Sequence, residues 1–203
     1  MKNTLLNPVS EMDTKSPERQ KEELLKNDKY KGLPEVEALK EQEQKEKQKQ
    51  QKNKDNSKPA STTNPKESIE ANEESKTSNE TVPEVIPSKV QLENQLQEKL
   101  TALKSEYNAK LNQLLASAKA EYKQVKSGEK EVSVSKLAKN YLNLGNAMEA
   151  ECDARVYASI AYTENMLKKY NYDTSIIKEA RQTYQNTKEE RRQRLLDKLL
   201  NYI

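Results

Sequence analysis

The chain has 203 residues, of which 34% are charged, and it contains no Phe, Trp or His. A mean hydropathy of −1.16 excludes a large conventional core along its whole length. The single cysteine excludes an intramolecular disulfide framework, and the absence of histidine leaves a zinc site of Cys and His ligands almost without donors. We therefore expect no catalytic residue, no cofactor and no metal site.

The first 87 residues are predicted to form a disordered, low-complexity arm and linker, with a weak helix around residues 17–31. Ser16 and Pro17 are typical of a helix start, and Gly32 would end that helix. The run of Glu, Gln and Lys from residue 40 to residue 54 has no apolar face and predicts at most a transient helix. Residues 56–87 contain scarcely any aliphatic side chain, which indicates a linker.

The arm carries a few apolar residues that are candidates for folding onto a protein partner. A short recognition segment of this kind would bind through side chains that a disordered arm leaves uncovered. The candidate partner-binding residues are Leu24, Leu25, Tyr30, Leu33, Val36 and Leu39.

An eleven-residue apolar rhythm, with steps of 4, 4 and 3, runs through the second part of the chain. This period is about 3.67 residues per turn, so it predicts long, nearly straight helices of a hendecad coiled coil. The first series is Leu92, Leu96, Leu100, Leu103, Tyr107, Leu111, Leu114, Ala118, Tyr122 and Val125. The second series is Val134, Leu137, Tyr141, Gly145, Met148, Cys152, Val156, Ser159, Thr163, Leu167 and Tyr170.

Residues 88–203 are predicted to form an all-α, three-helix antiparallel coiled-coil bundle. The first helix, capped by Ser88, should run over about 89–126 and end before Gly128. The second should begin after Ser133 or Ser135 and end near Asn171. Their similar lengths and short connection indicate an antiparallel hairpin. A third helix, capped by Asp173 or Thr174, would bring residues 195–203 back toward the first turn. A hairpin that dimerises would show nearly the same periodicity.

Three acids and one cysteine form the densest group that might perform chemistry. Glu149 and Asp153 share one face of a helix and Glu151 points elsewhere, so we interpret all three as surface acids, with an ion pair to Arg155 or to another helix. Cys152 falls on the apolar series and is interpreted as a small buried hydrophobe.

Gly145 lies inside the second predicted helix, where glycine is unfavourable by about 1 kcal/mol relative to Ala. It suggests either a close approach of the neighbouring helix or a local bend.

A basic group near the end of the chain is the candidate patch for an anionic partner, because phosphate binding needs clustered cations. Acids dilute the group and no aromatic side chain lies among them, which favours the simpler interpretation of a charged helix face. An anionic membrane surface is a minor alternative. The patch residues are Lys188, Arg191, Arg192, Arg194 and Lys198.

Three segments resemble the helical C-terminal region of proteins of unassigned activity from low-GC Gram-positive bacteria: LNQLLASAKAEY, LAKNYLNLGNAMEAECDARVYASIAYTENMLKKY and RQTYQNTKEERRQRLL. Those proteins are often membrane-anchored through an N-terminal apolar helix, a segment that we do not find in this sequence. The resemblance implies a bacterial origin and a helical hairpin, and it carries over no site residues.

These observations together predict a non-catalytic coiled-coil scaffold or adaptor that mediates protein–protein interaction, including self-association. The alternative is a nucleic-acid-associated protein that uses the basic end of the third helix. Residues 1–87 carry 16 basic against 18 acidic side chains and residues 88–203 carry 20 against 15, a balance too weak to favour nucleic acid. Without a 20-residue apolar run or a secretory signal, the expected location is the cytoplasm.

Overall fold

The computed structural model describes residues 12–55 and 86–200, apart from the side chains of residues 49–55, 196 and 198–200. Within these ranges the chain forms five α-helices and one 3₁₀ turn, with no strand. The helices are α1 (Pro17–Lys26), α2 (Pro34–Asp55), α3 (Lys89–Lys126), α4 (Val134–Lys169) and α5 (Ser175–Leu200), and the 3₁₀ turn is Asp28–Tyr30. The predicted all-α class is confirmed.

Helices α3 and α4 form the predicted antiparallel hairpin, and their ends lie where the capping residues placed them. Ser88 and Gln91 make a reciprocal capping box at the start of α3, and Ser133 caps α4. Gly128 and Asn171 take the left-handed conformation, with φ of +79° and +56°, just beyond the two helix ends. The helices contain 38 and 36 residues.

The burial pattern is consistent with the eleven-residue series. All ten predicted positions of α3 are buried or half-buried, and so are ten of the eleven positions in the second series. The exception is Val134, which is 50% exposed at the first residue of α4.

The second half of α4 is the centre of the molecule. Residues 156–161 are all buried, as are residues 152–154. Because successive residues of a helix are rotated by about 100°, six consecutive buried residues leave no solvent-facing side. Helices α1, α2, α3 and α5 all pack against α4. We call helices α1, α2 and α5, together with residues 89–107 of α3 and 149–169 of α4, the head.

The weak helix predicted around residues 17–31 is present as α1 and the 3₁₀ turn, but the predicted disorder of the rest of the arm is wrong for residues 12–55. Helices α1 and α2 belong to the same hydrophobic core as the hairpin, and Leu24, Val36 and Leu39 are completely buried. The polar run 40–54, expected to be at most transiently helical, continues α2 to Asp55. These helices are stabilised by packing on α4, more than 100 residues away, and local composition carries no trace of that contact. The predicted linker lies outside the described residues except at its last two positions.

The three helices predicted for residues 88–203 are present, but they do not form a core of their own. Helix α5 runs antiparallel to α4 as expected, with Tyr184 and Lys188 bonded to Asp153 and Arg192 paired with Glu149. However, the hairpin is covered by α1, α2 and α5 rather than by one additional helix. Residues on both sides of position 88 therefore share one core.

The described helices contain no segment long and apolar enough to cross a membrane. Within the same residues, no group of three or more Cys, Asp or Glu side chains has the arrangement of a metal site.

Candidate functional site

The centre of the head contains a buried cluster of charges around Lys188, which is only 5% exposed. The Nζ atom of Lys188 lies 2.6 Å from Asp13 Oδ2, 2.8 Å from Asp153 Oδ2 and 3.1 Å from Glu149 Oε1. Arg192 forms a second ion pair with Glu149. The ammonium group of Lys188 thus joins three elements: the turn that precedes α1, helix α4 and helix α5.

Two tyrosines complete the hydrogen bonding of this Lys188 cluster. Tyr157 Oη donates to Asp13 Oδ1 at 2.5 Å, and Tyr184 Oη donates to Asp153 Oδ1 at 2.7 Å. The two rings pack edge to face, with centroids 5.6 Å apart. Asp153 is 0% exposed, so these bonds and the ammonium group replace the water that a carboxylate needs.

The pKa values of Lys188, Tyr157 and Tyr184 all move further above neutral pH. Burial would lower the pKa of Lys188, but the charge of Asp153 and the hydrogen bond to Asp13 raise it instead. Burial raises the pKa of both Tyr157 and Tyr184 above the ordinary tyrosine value. General acid–base catalysis needs groups that titrate near the working pH, so this arrangement suits structural pairing better than proton transfer.

The acids near Cys152 are less exposed to solvent than predicted. Asp153 is fully buried rather than solvated, whereas Glu149 and Glu151 are half-buried. The expected pairing with another helix is found, because Glu149 pairs with α5 and Glu151 accepts a hydrogen bond from Tyr107 of α3. Cys152 is 3% exposed, as predicted, and burial raises its pKa to about 11.

The predicted basic patch is not an exposed group of cations. Lys188 is buried and Arg192 is paired with Glu149, so neither presents a free charge to solvent. Arg194 is exposed beside Glu190, and Arg191 is half-buried. The side chain of Lys198 lies outside the described residues. Lys188 was assigned to the solvent face because a charged side chain at an apolar position gives no local sign of its buried partners.

A second charged network, centred on Arg155, joins α2, α3 and α4. Arg155 donates to Glu35 at 2.8 and 3.1 Å and to Glu106 at 2.8 and 2.9 Å. Lys99 of α3 lies 3.0 Å from Glu35. Burial would raise the pKa of Glu35, but hydrogen bonds from Arg155 and Lys99 outweigh it and lower the pKa to about 2.

The six candidate partner-binding residues do not form an exposed recognition segment. Four of them are buried in the chain's own core, with exposures between 0% and 5%, and Leu25 and Leu33 are half-buried against it. The segment folds as expected of a recognition helix, but the surface that it covers is α4 of the same chain. The four buried residues are Leu24, Tyr30, Val36 and Leu39.

The part of the hairpin beyond the head is the least covered surface that the structure describes. We call residues 108–148 the hairpin arm; within it, Leu137 is the one buried residue. Leu142 is 46% exposed, Leu144 is 51% exposed and Val134 is 50% exposed. The hairpin arm also contains seven lysines and three glutamates, a net charge of +4 that exceeds the +3 of the whole chain.

The two exposed leucines continue different faces of α4. Leu144 precedes Arg155 by eleven residues, and an eleven-residue step returns to within about 20° of the same direction. Since Arg155 contacts α2, Leu144 extends the face that α2 covers in the head. Leu142 precedes Asp153 by the same step, and Asp153 contacts α5. The hairpin arm therefore has one open groove in line with α2 and another in line with α5.

No family model, curated protein or solved structure matches this chain in the comparisons with known proteins.

Several residues that organise the head were not singled out from the sequence. They are Asp13, Glu35 and Tyr157. The available signal was indirect. Glu35 directly precedes Val36 and lies four positions before Leu39, so on a helix it shares the face of Leu39 and would be covered together with these apolar residues.

Proposed function

We propose that the protein is a non-catalytic coiled-coil scaffold or adaptor, and that its hairpin arm binds a protein partner. The head is a closed core built from five helices, whereas the hairpin arm exposes apolar side chains beside a net charge of +4. Exposed apolar side chains bordered by charged residues are typical of a protein-binding surface. The exposure of Leu144 on the face shared with α2 is the observation that carries this proposal.

Helix α2 indicates what kind of partner fits this face. It covers the α3–α4 groove with apolar Val36 and Leu39, while its Glu35 lies between Lys99 of α3 and Arg155 of α4. A partner helix that continues this line would place apolar residues over Leu144 and acidic residues toward the lysines of the hairpin arm. We therefore expect an acidic amphipathic helix, held by helix-in-groove packing.

The nucleic-acid alternative is weakened because the patch on which it depended is largely ion-paired. Anisotropy of a labelled oligonucleotide at about 50 mM salt tests it directly, since phosphate binding should be strongest at low salt. A location in the cytoplasm and a bacterial origin stay predictions.

A charge introduced into the proposed surface tests the function. The full-length native protein and its variants Leu144→Glu and Asn143→Glu are each cross-linked to their partners inside the cells that produce them. Each sample is then treated with nuclease, and the cross-linked proteins are identified by mass spectrometry. Asn143 is exposed and lies about 100° away around α4, so Asn143→Glu adds the same charge outside the groove.

We expect specific protein partners to be retained by Asn143→Glu and reduced at least fivefold by Leu144→Glu. Equal recovery with both variants, or partners that disappear after nuclease treatment, would contradict the proposal. Circular dichroism of each variant verifies that the helices are intact.

A further inference from the structure

The contacts between α4 and α5 follow a constant register. Lys188 pairs with Asp153, and Arg192, four residues later, pairs with Glu149, four residues earlier. Two further helical turns along this register place Leu199 opposite Leu142. Leu142 is the 46% exposed residue on the face of α4 that α5 covers in the head.

The chemistry of the two facing helices changes together at this point. The pairs described above are ionic, but beyond Gln193 and Arg194 the residues of α5 in line with these pairs are leucines, of which Leu195 is half-buried. Residues 195–203 have apolar side chains at spacings of 1, 3, 1, 2 and 1, which form one broad face on a helix. These side chains are Leu195, Leu196, Leu199, Leu200, Tyr202 and Ile203.

The buried charges fix the register of this pairing. A slip of four residues in one direction would move Lys188 to Glu149 and Arg192 to Gly145, which separates Lys188 from Asp153, a residue that is 0% exposed. A slip in the other direction would move Arg192 to Asp153 but Lys188 to Tyr157, which separates Glu149 from both cations. Removing the partner of a buried charge costs about 3–5 kcal/mol, so slipped arrangements are strongly disfavoured. The ionic pairs thus select one alignment, and the leucines that follow can close the groove only in that alignment.

We propose that residues 195–203 pack on the first half of α4 within the same molecule, with Leu199 over Leu142. This segment completes the hairpin arm as its third helix on the face opposite to Leu144. Its own chain is the favoured occupant because Arg192 already holds α5 seven residues before Leu199, which keeps the segment at an effective concentration in the millimolar range. The inference is independent of the proposed function, which concerns the Leu144 face.

A disulfide between the two proposed contact positions tests the pairing in the full-length chain. Leu142→Cys and Leu199→Cys are combined and oxidised at low protein concentration, and the products are identified by non-reducing electrophoresis and mass spectrometry. The native Cys152 does not compete, because it is 3% exposed and burial raises its pKa to about 11. The matched control combines Leu144→Cys with Leu199→Cys, which places the first cysteine about 200° away around α4.

We expect an intramolecular disulfide in the first pair, formed at least tenfold faster than in the control pair. A disulfide-linked dimer would show that a second copy occupies the groove, and equal rates in both pairs would show that the segment has no preferred position; either result would overturn the proposal.

A second measurement does not depend on disulfide geometry. Hydrogen exchange at residues 134–146 should become several-fold faster in Leu199→Glu than in Asn201→Glu, while residues 152–167 keep their protection. No difference between the variants in 134–146 would also overturn the proposal.

Discussion

Replacing Lys188 with methionine should be among the most damaging single substitutions in the head. Methionine fills a similar volume without charge, so the change tests the ion pairs rather than the packing. The ammonium group is shared by Asp13, Glu149 and Asp153, within 2.6 to 3.1 Å. Without it, Asp153 remains completely buried, with the Tyr184 hydroxyl among its donors, but it has lost the ammonium group of Lys188.

The expected loss is about 3–5 kcal/mol, the usual consequence of leaving one partner of a buried ion pair uncompensated. That is a large part of the 5–15 kcal/mol that typically separates folded from unfolded protein. The pH dependence has a definite sign. A buried carboxyl without its cation has a raised pKa in the folded state, so its destabilising effect is present above that pKa and is relieved as the pH falls through it.

Urea unfolding followed by circular dichroism at pH 7 and pH 5 measures both effects. Lys188→Met should unfold at lower urea than the native protein at pH 7, and the gap should narrow at pH 5. Lys178→Met is the control, because Lys178 is exposed on the same helix and should change stability by no more than about 0.5 kcal/mol. If Lys188→Met lies within 1 kcal/mol of that control, the buried ammonium group does not stabilise the head as argued.

Three further predictions concern other parts of the structure. Glu35→Gln should lower the free energy of unfolding by about 2 kcal/mol at pH 7, because a carboxyl whose pKa is lowered from 4.5 to about 2 stabilises the fold above pH 4.5 and loses that contribution as the pH falls toward 2. The urea midpoint of the native protein should therefore fall between pH 4.5 and pH 2, and an equally steep fall in the variant would refute this role of Glu35. Gly145→Ala should raise the free energy of unfolding by about 0.5–1 kcal/mol, because alanine favours the helix more than glycine and its Cβ would make an ordinary contact, 3.9 Å from Leu114 Cδ2. A lower melting temperature would instead support a close approach of the neighbouring helix at Gly145. Cys152 should react with a thiol reagent only after unfolding, and rapid stoichiometric reaction of the native protein would show that its burial is incomplete.

The hairpin was predictable because its information is local. Ser88, Gly128, Ser133 and Asn171 act within one turn of the helix ends, and all lie in the expected conformations. The eleven-residue series likewise depends on neighbouring turns of one helix. Such features require no knowledge of what the hairpin meets elsewhere in the chain.

The packing of α1 and the stable helix α2 were missed because their stability comes from distant residues. The ion pair of Glu35 with Arg155 spans 120 positions, and the bond from Tyr157 to Asp13 spans 144. By composition alone, α2 is a polar run with two well-spaced apolar residues. Its helical order follows from burying Val36 and Leu39 against α4, which provides apolar surface on every side.

Lys188 shows the same limitation within α5. It continues the stripe of α5 that faces α4, together with Ile177, Tyr184 and Leu195, but a lysine at such a position is usually assigned to solvent. What distinguishes this lysine is Asp153 at the facing position of α4. Asp153 was likewise predicted to be exposed to solvent. The two errors have one cause, since each charge is acceptable in the core only because the other is there.

The two halves of α4 connect the stability of the head with the proposed roles of the hairpin arm. Residues 152–167 lie in the part of α4 that the other helices cover, whereas residues 134–148 are exposed or half-buried except for Leu137. Local opening begins where few apolar contacts oppose it, so the hairpin arm is the part whose order depends most on what covers its two grooves. A helix bound over Leu144 and the segment 195–203 over Leu142 would stabilise the same stretch of α4 from opposite faces, and binding at one face should therefore favour binding at the other.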